Sequence, residues 1–238
     1  RCRSPRFGSG VLFRECATQK IIDNYLNWEI LKEAFPDVLA GFWVTVQASL
    51  AVIVIGLMTG LVLAILRCLR NRIIDGVITT YIEIFRTLPQ LVVLIFVYFG
   101  LPYLGIAFSP FLATVFGLAA VLSAFAAEIF WASIVAVPKG QWEAATALAF
   151  KPWRTLSYII LPQAVRLALP LVTNRSIAIT KGTALGVAVS LQETLGAAQS
   201  IMSIKANPSP LTLAAFFYLL FFIPLVAFSR YVERRYSH

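Results

Sequence analysis

Apolar residues run through this chain in five long blocks separated by short polar breaks. Leu39 to Leu66, Val77 to Leu101, Pro110 to Ala132, Ile159 to Ile179 and Leu211 to Phe228 each approach or pass the roughly 20 residues that a bilayer-crossing helix needs. The first is long enough to tilt. The pattern predicts an all-α integral membrane protein with about five transmembrane helices. Ahead of the blocks, residues 1–20 are polar and basic without periodicity, as in a poorly ordered terminus. Ile21 to Phe35 then mixes Tyr25, Trp28, Ile30 and Leu31 with Asp23, Glu29, Lys32 and Glu33. That mixture predicts a short helix at the membrane interface, with Trp28 at headgroup level and Pro36 at its end; a plain lead-in to the first span fits the same residues. The chain thus divides into an N-terminal extracytoplasmic tail with its interfacial helix (1–38) and a transmembrane domain (39–238). Thr183 to Pro210 is too irregular for a sixth span. Within it, Gly186 to Ile204 is mildly apolar and predicts a helix packed at the outer surface or re-entering the protein.

Composition agrees with this class. Of the 238 residues 59% are hydrophobic and 13% charged, with a mean hydropathy of +0.82, where a soluble domain carries about a quarter charged residues. The net charge of +9 therefore reads as topology. Arg67, Arg70 and Arg72 crowd the first break, Pro102 to Ser109 has no Lys or Arg, and Arg230, Arg234 and Arg235 close the chain. Lys and Arg gather on the cytoplasmic side. The N-terminus is thus expected outside, and residues 67–75, 139–158 and the C-terminus inside. The six Lys and Arg residues of the N-terminal tail oppose that orientation, and its five acids offset them. Cys2, Cys16 and Cys68 are scattered, and His238 is the one histidine, so zinc sites and disulfide frameworks have little material. Cys2 and Cys16 could pair if their segment lies outside the cytoplasm, but two free thiols are the expectation. The first thirty residues hold no apolar run, which argues against a cleavable signal peptide.

Catalytic signatures are missing. There is no G-x-x-x-x-G-K-[ST] phosphate loop, no H-E-x-x-H and no G-x-S-x-G, so neither ATP binding nor hydrolysis by this chain alone is expected. Ionisable groups inside spans are expensive and mark function by default. Glu128 sits near the inner end of the third block. Glu83 and Arg86 stand three apart on one helical face, where they can pair. Arg166, Asn174, Arg175 and Lys181 make the fourth block the most polar, so it should lie inside the protein or along a watered path. Two uses are open for these groups. Glu128, Ser123, Asn174, Lys181 and Thr183 are candidates for a substrate path, whereas Glu83, Arg86 and Arg166 are candidates for structural ion pairs, with Arg166 a partner for Glu128.

The long polar break is Gly140 to Pro170. Gln141 to Phe150 carries Ala and Leu at helical spacing, and Pro152 can open a second short helix. Glu143-Ala144-Ala145, then Ala149, then Ile159 and Leu161-Pro162, resemble the EAA motif of ABC-importer permeases. Tyr81-Ile82-Glu83-Ile84-Phe85-Arg86-Thr87-Leu88-Pro89 resembles the Y-x-E-x-x-R-x-x-P signature of polar amino acid permeases of the histidine, glutamine and arginine type. Ala127-Glu128-Ile129, Ala136-Val137-Pro138-Lys139-Gly140-Gln141 and Leu161-Pro162-Gln163-Ala164 extend the likeness. Three departures stand out: Ala149 where Gly is usual, Trp131-Ala132 where Arg-Gly is frequent, and Gly182 and Ala184 inside what is commonly K-D-T-S-L. The last removes two polar groups and bears on substrate preference.

The resemblance implies a type I ABC importer permease fold in a bacterial inner membrane. Its cytoplasmic coupling loop, about 139–162, would dock on an ATPase through Gln141, Glu143, Ala144, Ala145, Ala149, Leu161 and Pro162. Ala144 and Ala145 would allow close approach in the ATPase groove. Ala149 is expected in an ordinary helical or bridge conformation, since a positive φ would cost about 1 kcal/mol. The implied partners are two copies of an ATP-binding subunit, a second permease subunit (identical or homologous), an extracytoplasmic amino acid-binding protein and membrane lipid, with no nucleic acid. No cofactor is expected on this chain; ATP and Mg would sit on the ATPase. The alternatives are a permease for another small solute, an exporter or proton-coupled carrier, a lipid-acting membrane enzyme, and a passive scaffold or channel subunit.

Overall fold

The computed structural model describes residues 23–69 and 71–236. The expectations for residues 1–20, Ile21, Ile22, Arg70 and His238, Cys2 and Cys16 among them, lie outside those residues. Among the described residues four helices are long and apolar enough to cross a membrane, and a bent pair makes up to five.

Helix α1 (Trp28–Arg67) starts on Asn27, whose side chain accepts from the Ile30 N–H at 3.3 Å. It runs through Pro36 unbroken. The helix end expected at Pro36 is therefore absent, and Trp28 to Phe35 forms the first turns of the same helix that carries the first span. Packing accounts for this. Ala34 and Val38, on either side of the proline, are buried with Ala198, Ala214 and Phe217, which outweighs the one hydrogen bond that proline removes.

The second block is not one span. α2 (Arg72–Thr87) ends at Leu88, which the following Pro89 forces into extended backbone. The chain then turns by 109° into α3 (Gln90–Leu104). Gly105, at φ +80°, closes α3 in the left-handed conformation that glycine tolerates.

At the centre stands α4 (Pro110–Ala136), capped by Ser109 and the most enclosed of the apolar helices. α1 lies along it through small residues. A Cβ on Gly56 would meet Leu122 at 2.8 Å, and one on Gly60 would meet the Ala126 Cβ at 2.6 Å and the Ser123 carbonyl at 2.9 Å. The Gly-x-x-x-Gly spacing of Gly56 and Gly60 is what lets two membrane helices approach this closely.

α5 (Lys139–Ala147) leads into α6 (Pro152–Val189). α7 (Thr194–Lys205) and α8 (Ser209–Tyr236) follow. The mildly apolar stretch 186–204 is thus a 3-10 end to α6 followed by a 12-residue helix packed on α1 and α8.

Candidate functional site

Two regions carry most of the sequence-predicted residues: the α5 loop and the helices α2, α4 and α6.

The loop is held from beneath. Trp142 packs on a core that includes Phe130, Ile134, Val137 and Ile160, and Ala145 is 1% exposed. Gln163 ties α6 back to it, donating to the Gln141 side chain at 3.3 Å and to the Ile159 carbonyl at 2.8 Å. Glu143 and Ala144 stay exposed, and Lys139, Trp142, Glu143 and Thr146 border an open hollow of about 630 Å³. Ala145 is therefore small for the sake of its own chain and has no surface to offer a partner. Leu161 is half-buried and Pro162 exposed at the root of the loop. The second amphipathic segment is the beginning of α6, opened by Pro152 and continued by a π turn, Thr155–Ile160.

Ala149 differs from expectation. Its φ is +59°. The Phe150 N–H donates to the Ala145 carbonyl at 3.0 Å and the Ala149 N–H to the Thr146 carbonyl at 2.9 Å, which is the Schellman closure of a helix end. That closure requires a left-handed residue at this position, so the chain accepts an Ala where Gly is easier.

What α2, α4 and α6 share is the neighbourhood of Phe125, approached by Arg86 of α2 and Arg175 of α6. On α2, Thr79, Glu83 and Arg86 follow one another at helical spacing and are exposed; on α6, Arg166, Asn174 and Lys181 are also exposed, the last two on the side of α8. Arg86 forms its ion pair with Glu128 of α4, which corrects both expected pairings. Geometry gives the reason: Arg86 reaches across to α4, where its guanidinium also sits 5.4 Å from the Phe125 ring centre. Arg166 makes no ion pair among the described residues. Ser123 and Thr183 are both buried. Ser123 is 1% exposed and shares a 2.6 Å hydrogen bond with the Tyr81 hydroxyl, while Thr183 is fully buried and donates to the Thr180 carbonyl at 2.9 Å. Asn174 borders a hollow of about 240 Å³ together with Ser229, Arg230 and Glu233 of α8. Lys181 reaches toward Phe222, its Nζ 5.7 Å from the ring centre. Among the described residues there is no His, Cys, Asp or Glu cluster that could hold a metal.

The family described as binding-protein-dependent transport system inner membrane component matches residues 53–238. The chain belongs to that family. This permease is 32% identical over 222 residues to the probable amino-acid ABC transporter permease protein YckA of Bacillus subtilis (strain 168), spanning 90% of the chain and 98% of YckA. It is 29% identical over 213 residues to the L-cystine transport system permease protein TcyB of the same organism, spanning 88% and 91% of the two chains. Its fold matches the crystal structure of an amino acid ABC transporter with histidines at a TM-score of 0.78 and 30% identity, over 86% of this chain and 96% of that one.

The permease also contains a polar site that the hydropathy pattern hides. Glu193, fully buried, caps α7 by accepting from the Leu195 and Gly196 N–H groups at 2.8 and 3.0 Å. Its other oxygen accepts from the Tyr218 hydroxyl at 2.5 Å and from Thr45 at 3.1 Å, and Thr45 and Thr194 share a 2.7 Å hydrogen bond. Three helices meet at one carboxylate. The one local signal was an acid immediately before a threonine at a helix start, an N-cap arrangement; Tyr218 and Thr45 are too distant in sequence to be associated with it.

Proposed function

We propose that this chain forms the translocation path for amino acids in an ATP-driven, binding-protein-dependent importer of a bacterial inner membrane. The observation that carries the reading is the α5 loop: Glu143 and Ala144 project from a short helix anchored by Trp142 and Ala145, and a loop built this way can transmit a push from a docked subunit. Two ATPase subunits would dock on two such loops, one from this chain and one from a second permease subunit. A binding protein would deliver solute on the opposite side. ATP and Mg belong to the ATPase, and this chain has a transport role and no catalytic one. Closure of the ATPase dimer would draw the loops together and reopen the path outward, as in alternating access by rigid bodies. The N-terminal end of α1 lies outside in this reading, and the loop and the C-terminus lie in the cytoplasm. The boundary expected at 38/39 falls inside the unbroken helix Trp28–Arg67, so α1 as a whole belongs to the permease domain.

Reconstitution of the complex with its ATPase and binding protein tests this. Glu143→Lys should insert at the wild-type level yet lose substrate-stimulated ATP hydrolysis and uptake; full transport by that variant overturns the docking role. Cysteines near Gly105 should label from outside intact cells and cysteines near Arg154 should not; the reverse pattern sinks the orientation.

A further inference from the structure

Around Phe125 the protein gathers one more cation than it can neutralise. Arg175 of α6 lies with its guanidinium carbon 3.3 Å from the centre of the Phe125 ring, the same ring that Arg86 approaches. Arg86 has Glu128 as counter-ion. Among the described residues no carboxylate lies within ion-pair range of Arg175, and its Nε is buried without a hydrogen-bond partner. Two guanidinium groups, one carboxylate and one aromatic ring leave a single positive charge in excess. The cluster is open on one side, since the Arg86 and Glu128 side chains are 34% and 44% exposed. That side adjoins the exposed face of α2 that carries Glu83. Ionisable groups at membrane depth do not face lipid cheaply, so the face meets water or protein.

Physical chemistry narrows what completes such a site. Stacking on Phe125 fixes the guanidinium plane and leaves its N–H edges free. A fixed guanidinium edge matches a carboxylate, which it can hold through two parallel hydrogen bonds. Glu83, one turn before Arg86, makes no ion pair among the described residues, with Arg175 or any other cation. We propose that Arg175, held by Phe125 and flanked by the Arg86–Glu128 pair, binds the α-carboxylate of the amino acid in transit. The site rests on the proposed role of this chain as an amino acid path.

Uptake of the twenty protein L-amino acids by the reconstituted wild-type complex selects the probe. Its affinity, and that of its C-terminal amide, are then measured on the detergent-solubilised permease–ATPase complex without binding protein. The wild type should prefer acid over amide. Arg175→Gln should weaken the acid about ten- to hundredfold, as loss of a charged hydrogen-bond partner implies, and leave the amide within about twofold. Arg175→Lys should recover part of the preference, because it restores charge without the flat edge. Equal wild-type affinity for acid and amide, or equal loss of both in Arg175→Gln, overturns the site. If Arg175→Gln fails to insert, the wild-type ratio and Arg175→Lys decide. A different outcome is neutralisation of Arg175 by a carboxylate of the second permease subunit. Arg175→Gln would then loosen the pairing of the two subunits, read by native mass, and leave the acid-to-amide ratio unchanged, which also overturns the proposal. Wild-type uptake of no amino acid removes the transport reading, and the site with it, whereas uptake without acid preference removes the site alone.

Discussion

Glu193 and Glu128 are both carboxylates among apolar helices, and they are solvated in opposite ways. Glu193 is shut in and receives hydrogen bonds from two backbone N–H groups, a tyrosine and a threonine. Glu128 has one cation and an open side. The first works as a rivet, because every lone pair is occupied and any removal leaves several buried donors without a partner. The second keeps capacity for something else to enter. Burial, more than charge, separates the polar groups that hold a membrane protein together from those left available for work.

The comparison breaks most visibly at Glu193. Glu193→Ala should cost about 3 kcal/mol or more, since the Tyr218 hydroxyl and two N–H groups lose the carboxylate together, while Thr45 can still donate to the Gly41 carbonyl. Thermal unfolding in detergent would show it, and a variant as stable as wild type would mean water replaces the carboxylate. Next comes the small-residue seam between α1 and α4. Gly60→Ala places a methyl group against Ala126 and Ser123, and should cost about 1 to 3 kcal/mol through overpacking; an unchanged melting temperature would show that α1 can back away freely. A change of opposite sign is expected in the loop. Ala149→Gly should stabilise by up to about 1 kcal/mol by relieving the left-handed alanine, readable as slower proteolysis at the loop. The smallest effect belongs to Glu128→Gln. A partly exposed ion pair is worth no more than about 1 kcal/mol, so expression and melting should barely move; a large loss of stability would make Glu128 a second rivet.

Much of the architecture could be read from hydropathy because spans long enough to cross a bilayer leave an unmistakable run, and the loop could be read because its polarity interrupts that run. What stayed hidden depends on contacts between distant residues. Pro36 reads as a stop until Ala34 and Val38 are seen packed on α7 and α8. Val77 to Leu101 reads as one span because hydropathy is blind to the elbow that Pro89 makes. Glu83 and Arg86 look paired because helical spacing is all a sequence offers, whereas the nearer partner for Arg86 comes from α4. Ala149 misled for a different reason: the usual glycine at that position was itself the evidence for a left-handed residue, and the substitution changed the side chain without changing the turn.

The length of α1 has its own consequence. Forty residues make about 60 Å of helix at 1.5 Å each, against a hydrocarbon layer of roughly 30 Å. A tilt of about 20° takes up only a few ångströms of the difference. The surplus must stand clear of the lipid, and Glu29, Lys32, Glu33 and Asp37 mark the end that does so. There Glu33 and Lys205 form a 2.8 Å strut between α1 and the last turn of α7. Such a mast lifts the Glu33–Lys205 pair out of the hydrocarbon and into water, where dissolved salt weakens it.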